Sequence, residues 1–159
     1  MYLDKLFNKN QLVIYLEEIR TDNVIVGFTN GCFDLLHKGH LSLLSQAKKQ
    51  CDFLIVAINS DSSIKKLKGS DRPVDGEQIR LKKLSIIKDV DALIVFNEET
   101  PLKIINELMP NILFKGADYK YKEVIGSHSI IKNGGKIEFI DILEGFSTTN
   151  IIQNSSIKC

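Results

Sequence analysis

Residues 31–40 read GCFDLLHKGH. An apolar run, Val24 to Thr29 (VIVGFT), leads into them, and a helical spacing of Leu41, Leu44, Ala47 and Lys48 leads out. The segment therefore joins a buried strand to a helix. It puts His37, Gly39 and His40 in the first helical turn, where a glycine weakens a helix by roughly 1 kcal/mol relative to alanine. An anion at that position explains all three residues. Gly39 leaves room for a polyphosphate to approach the free N–H groups of the helix start, and the two imidazoles donate hydrogen bonds to its oxygens. A neighbouring phosphate also favours imidazolium, because negative charge raises the histidine pKa. Two other readings compete. One is a helix that happens to carry two histidines, one of them hydrogen-bonded in the core. The other is zinc, which needs a third ligand and usually a spacing such as HExxH, absent here.

Strands and helices alternate outward from this segment. Leu12, Tyr15, Leu16 and Ile19 are spaced for one face of a leading helix. Strands are expected at 24–29, 53–58, 92–96, 112–115 and 136–140. Helices are expected over 41–50, from about Gly76 with Asp75 as cap and Gln78 completing a capping box, from Thr100-Pro101, over 121–132 with Gly134-Gly135 as the stop, and from Ser147. Residues 59–75 are polar and loop-like, with Lys65, Lys66, Lys68 and Arg72 as a basic set. A loop of this length is often a lid. Five apolar strands separated by helices imply a parallel sheet, and such sheets bind ligands beyond the carboxyl ends of their strands. Four of those ends carry glycines, hydroxyls or lysines suited to phosphate: NGCFD, NSDSSIKKLKG, KGADY and EGFSTTN.

At 159 residues the chain is the size of one domain, divided here into a leading helix (1–22), a core (23–153) and a tail (154–159). Lys plus Arg is 21 against 20 for Asp plus Glu, a net charge of +1 that argues against a general nucleic-acid binder. The longest apolar run, Phe53 to Ile58, is far too short to span a bilayer, and MYLDKLFNKN has no apolar signal core, so a cytoplasmic protein is expected. Cys32, Cys51 and Cys159 form no CxxC pair and read as free thiols.

HKGH matches the HxGH signature of the nucleotidyltransferase superfamily, and NGCFD matches the segment before it there. Ser147-Thr148-Thr149 resembles that superfamily's phosphate-binding turn. More narrowly, TNGCFDLLHKGHLSLLSQAK, NSDSSIKKLKGSDRPVDGEQIR, KGADYKYKEVIGS and STTNII, in that order, are similar to D-glycero-β-D-manno-heptose 1-phosphate adenylyltransferases, from about Val24 to Ile152. The resemblance implies a Rossmann-like three-layer α/β sandwich with a five-stranded parallel sheet. It implies AMP transfer from ATP, with Mg²⁺, to a heptose 1-phosphate, giving ADP-heptose and pyrophosphate. His37, His40 and Lys68 would carry catalysis.

The implied nucleotide contacts are Asn30, Gly31, Cys32 through its backbone, Phe33, Gly39, Arg72, Arg80, Lys115, Gly116, Asp118, Ser147, Thr148 and Thr149, with no protein metal site. Arg80 could instead pair with Glu77, Asp118 could meet a ribose hydroxyl or orient its loop, and Ser147 could cap a helix. Lys38 and Lys66 carry no firm assignment, and His128 reads as surface. The family often joins this domain to a sugar kinase, so a separate heptose kinase is expected upstream, and a dimer is implied. The nearest alternative is a cytidylyltransferase acting on glycerol 3-phosphate or another alcohol phosphate. A non-catalytic nucleotide-binding module is disfavoured by the intact HxGH, and a dinucleotide-dependent oxidoreductase by the absence of GxGxxG after the first strand.

Overall fold

The computed structural model describes residues 2–119 and 123–141. A 3₁₀ turn, Tyr2–Lys5, precedes α1 (Lys9–Arg20). Asn8 and Gln11 close α1 with a reciprocal capping box: Gln11 N donates to Asn8 Oδ1 and Asn8 N to Gln11 Oε1. There follow β1 (Val26–Gly31), α2 (Lys38–Lys48), β2 (Phe53–Asn59), α3 (Asp61–Lys68), α4 (Glu77–Ser85), β3 (Ala92–Phe96), α5 (Leu102–Leu108), β4 (Ile112–Gly116), α6 (Ser127–Lys132) and β5 (Lys136–Ile140).

The sheet order is β3-β2-β1-β4-β5, and every neighbouring pair is parallel. Successive side chains along a strand face opposite sides, which builds two cores. Ile55 and Ala57 pack with Leu12 and Leu16 of α1, with Ile105 and Leu108 of α5 and with Ile130 of α6. Leu54, Val56 and Ile58 pack with Leu44 and Ala47 of α2 and with Leu81 and Leu84 of α4. The result is the Rossmann-like three-layer sandwich expected from the sequence. Gly27 is closely packed: a Cβ there would lie 2.6 Å from the Phe114 ring of β4 and 2.7 Å from Cys51 Sγ.

Sheet order also locates the site. The chain runs outward from β1 through β2 to β3, then returns to the other side of β1 for β4. Pairing of β1 with β2 runs from Val26↔Phe53 to Gly31↔Ile58. Pairing of β1 with β4 is confined to Gly27↔Ile112 and Phe28↔Leu113. Beyond those rungs the two strands run on to Gly31 and Gly116 without pairing to each other. A crevice opens at this switch point, where open parallel sheets take ligands.

Several local expectations are corrected. Residues 61–68 form α3 rather than loop. The Ser60 hydroxyl caps the helix by accepting from Ser63 N, and the Ser63 hydroxyl accepts from Asn59 Nδ2, so polar residues that read as coil are spent on a helix start. Gly76, not Asp75, is the N-cap of α4, and Pro101, not Thr100, that of α5; neither cap makes a side-chain bond. Among the described residues α6 begins only at Ser127. Gly134, at φ +83°, ends it as expected, with Gly135 N donating to Ile130 O. The helix expected from Ser147, the tail and the Ser147-Thr148-Thr149 turn lie outside the described residues. No described helix is long and apolar enough to cross a membrane.

Candidate active site

The chain leaves β1 through a strained turn. Phe33 and Leu35 both hold positive φ, 50° and 51°, a left-handed conformation that costs a residue with a side chain roughly 1–2 kcal/mol. Asp34, between them, accounts for the strain. Its buried carboxylate accepts from Arg72 Nε (3.0 Å), Val74 N (2.9 Å) and Asp75 N (2.8 Å), tying the 72–75 turn to the β1 exit. Burial pushes this carboxyl up, but the two backbone N–H groups and the Arg72 guanidinium outweigh it and hold Asp34 below the usual carboxylate range.

Three residues later α2 begins, and the histidines themselves cap it. His37 is the N-cap; its Nδ1 accepts from Gly39 N at 3.1 Å, and His40 Nδ1 accepts from His37 N at 3.2 Å. The rings stack with centroids 3.8 Å apart. A ring nitrogen that accepts a backbone N–H carries no proton, so each neutral imidazole has its proton on Nε2. Protonation is disfavoured as well. Burial, then the neighbouring His37 and Lys68, push His40 from the ordinary 6.5 to about 4, against an opposing pull from Asp34. Burial also lowers His37. In the ligand-free chain both histidines are therefore neutral; the imidazolium expected from the sequence is that of a histidine beside a bound phosphate. Gly39, buried at the second position of α2, gives its N–H to the cap and adds no side chain to the wall.

These groups face a cavity of about 580 Å³ at the carboxyl ends of β1 and β4. Eleven of the anticipated residues line it: Asn30, Gly31, Cys32, Phe33, His37, Gly39, His40, Lys68, Lys115, Gly116 and Asp118. Lys68 arrives as the last residue of α3. Lys115 Nζ reaches from β4 to Asn30 Oδ1 on β1, 2.6 Å across the crevice, and lies 5.4 Å from the centre of the Tyr119 ring. Burial lowers this ammonium to about 8, with Asp118 opposing. Burial raises the Cys32 thiol against the pull of Lys68, Arg80 and Arg72, and no thiolate chemistry is needed of it.

Two expected contacts are placed differently. Arg72 is not on the cavity wall; its Nε is spent on Asp34. Arg80 is fully buried away from the wall, and it pairs with Asp61 rather than Glu77. Thr29, Leu43, Asn59, Leu67, Glu99, Pro101 and Tyr119 also line the cavity and were not anticipated. Asn59 carried a signal, as the polar residue ending an apolar strand. Glu99 and Pro101 carried none, because NEETP after β3 has neither glycine nor cation. His128 is exposed on α6, as expected. Among the described residues no group of three His, Cys, Asp or Glu side chains is placed to hold a metal ion.

The family model for cytidylyltransferase-like proteins matches residues 28–154. The chain belongs to the cytidylyltransferase-like family. As a member it is a nucleotidyltransferase, and the cavity described above is its candidate active site. A bifunctional protein HldE from Caulobacter vibrioides is 48% identical over 148 residues, 93% of this chain and 31% of that protein. One from Granulibacter bethesdensis is 50% identical over 131 residues, 82% of this chain and 27% of that protein. The chain thus spans under a third of the length of these curated relatives. Among solved structures, a lipopolysaccharide core biosynthesis protein from Thermoplasma volcanium superposes with a TM-score of 0.61 at 32% identity, over 76% of this chain and 97% of that one. A pantoate-beta-alanine ligase from Francisella tularensis shares the fold, with a TM-score of 0.61 at 18% identity, over 96% of this chain and 77% of that one.

Proposed function

We propose that this nucleotidyltransferase moves AMP from ATP to D-glycero-D-manno-heptose 1-phosphate, releasing pyrophosphate. An oxygen of the sugar phosphate attacks the α-phosphorus of ATP. The new P–O bond gives ADP-heptose as the bond to the bridging α–β oxygen breaks, and the leaving electron pair stays with pyrophosphate. The nucleophile is already an anion at neutral pH, so the reaction needs no general base; catalysis is positioning and charge stabilisation.

The observation that carries this reading is the reciprocal histidine cap. It fixes both imidazoles as neutral Nε2–H donors on the cavity wall, beside the N-terminus of α2. Such preorganised donors stabilise charge as it shifts from the α-phosphate to the leaving pyrophosphate. Lys68 would neutralise the β- and γ-phosphates, and Lys115 would bridge the nucleotide to the β1–β4 crevice. Mg²⁺ would arrive with ATP as part of the substrate, held by phosphates and water. The choice of a heptose phosphate is supported by the identity to the HldE proteins and by the likeness to a lipopolysaccharide core biosynthesis protein.

Pyrophosphate release tests the proposal, measured with ATP or CTP against both anomers of heptose 1-phosphate and against glycerol 3-phosphate. Turnover is expected with ATP and one heptose 1-phosphate anomer. Faster turnover with CTP and glycerol 3-phosphate would overturn it in favour of an alcohol-phosphate cytidylyltransferase.

A further inference from the structure

We infer that Arg80 is a positioning residue: from beneath the cavity it staples together the segments that supply the catalytic groups, and it does not itself touch the nucleotide. This rests on the transferase reading above. Arg80 lies on α4 with its side chain wholly buried. Nη1 donates to two carbonyls, Cys32 O and Asn59 O, both at 2.8 Å. Nε donates to Asp75 O at 3.0 Å, and Nη2 to Asp61 Oδ1 at 2.8 Å.

Each partner belongs to a different part of the site. Cys32 begins the turn that leads to the histidines. Asn59 ends β2. Both lie one position beyond the last β1–β2 rung, Gly31↔Ile58, where the ladder no longer holds the strands together. Asp61 opens α3, the helix that ends in Lys68. Asp75 sits in the turn bound to Asp34. One planar guanidinium therefore sets the spacing of the β1 exit, the β2 exit, α3 and the Asp34-bound turn. Arginine suits this task because its donors radiate in a fixed fork. Cys32 and Asn59 also line the cavity; bonding their carbonyls to a cation keeps two bare lone-pair surfaces from facing a triphosphate.

The test compares Arg80→Gln and Arg80→Lys with the wild type. Readouts are amide hydrogen exchange of the ligand-free proteins, ATP affinity by calorimetry, and turnover. In Arg80→Gln we expect faster exchange at residues 30–36 and 59–62, weaker ATP binding, and kcat/KM lowered by about 10²-fold, the usual effect of a small misplacement of reacting groups. Arg80→Lys, able to hold the Cys32 and Asn59 carbonyls, should recover part of each; if Arg80→Gln fails to fold, the Lys variant should show the same changes to a smaller extent. Exchange indistinguishable from wild type in the variants, or an ATP-analogue complex with the Arg80 guanidinium on a phosphate oxygen, overturns the inference. The exchange arm needs no substrate. A wild type that binds ATP but turns over no heptose phosphate would refute the proposed reaction and leave the Arg80 result to be read on its own.

Discussion

His40→Asn separates the two things His40 does. An asparagine carbonyl can accept from His37 N as Nδ1 does, so the helix cap survives while the imidazole is lost. In the wild type, burial first and the neighbouring His37 and Lys68 second lower His40 from 6.5 to about 4. A proton added to Nδ1 would meet the N–H of His37 at 3.2 Å, donor against donor. The unfolded chain takes up the same proton at the ordinary value. Between about pH 6.5 and pH 4 the unfolded state therefore binds a proton that the native state refuses. This contribution is full above that window and is lost as pH falls through it. At about 1.4 kcal/mol for each factor of ten in proton affinity, the loss due to His40 reaches ~2–3 kcal/mol between about pH 7 and pH 4.5. Urea unfolding followed by circular dichroism across that range, on wild type and His40→Asn, measures it. The wild type should lose ~2–3 kcal/mol more than the variant. Parallel stability curves would mean that the native chain leaves His40 its ordinary affinity for a proton, and the reciprocal cap would not be what holds the imidazole neutral.

Four further outcomes follow from the same geometry. Replacing His37 or His40 with alanine should lower kcat by about 10²–10³, the usual effect of removing one preorganised donor; pyrophosphate release measures it, and full activity would remove the histidines from the mechanism. Lys115 loses its proton near 8 in the free chain, so wild-type kcat/KM for ATP should fall as pH rises through that value. In Lys115→Met the profile should be lower and flat there, whereas an unchanged alkaline limb would assign it to another group. Asp34→Asn breaks a buried charge pair and should cost about 3–5 kcal/mol in chemical denaturation; a cost under ~1 kcal/mol would show that the 72–75 turn does not depend on that charge. Gly27→Ala forces a methyl into the Phe114 and Cys51 side chains and should destabilise by ~1–3 kcal/mol while leaving the KM for ATP unchanged.

The sheet was readable in the sequence because its strands are short apolar runs bounded by polar turns, and a parallel strand buried on both faces needs little else. That His37, Gly39 and His40 gather at one helix start was readable, because a glycine between two histidines there has few structural uses. Residues 61–68 were not readable: DSSIKKLK offers only Ile64 and Leu67 as apolar positions, and its helix depends on hydroxyl and amide bonds made by Ser60, Ser63 and Asn59. Arg80 shows the limit of resemblance. Its position matched, but no sequence pattern says whether a guanidinium faces a ligand or turns inward onto two carbonyls. The protonation of the histidines also depended on geometry, since it follows from which backbone N–H each Nδ1 accepts.

The two-rung seam between β1 and β4 makes the sheet unequal in tension. Pulled apart across its width, it should part at that line first, leaving β3-β2-β1 and β4-β5 as separate plates. The Lys115–Asn30 contact spans the same line. A nucleotide lodged in the crevice would act as a third rung, so the mechanical strength of the fold should rise with occupancy of the site.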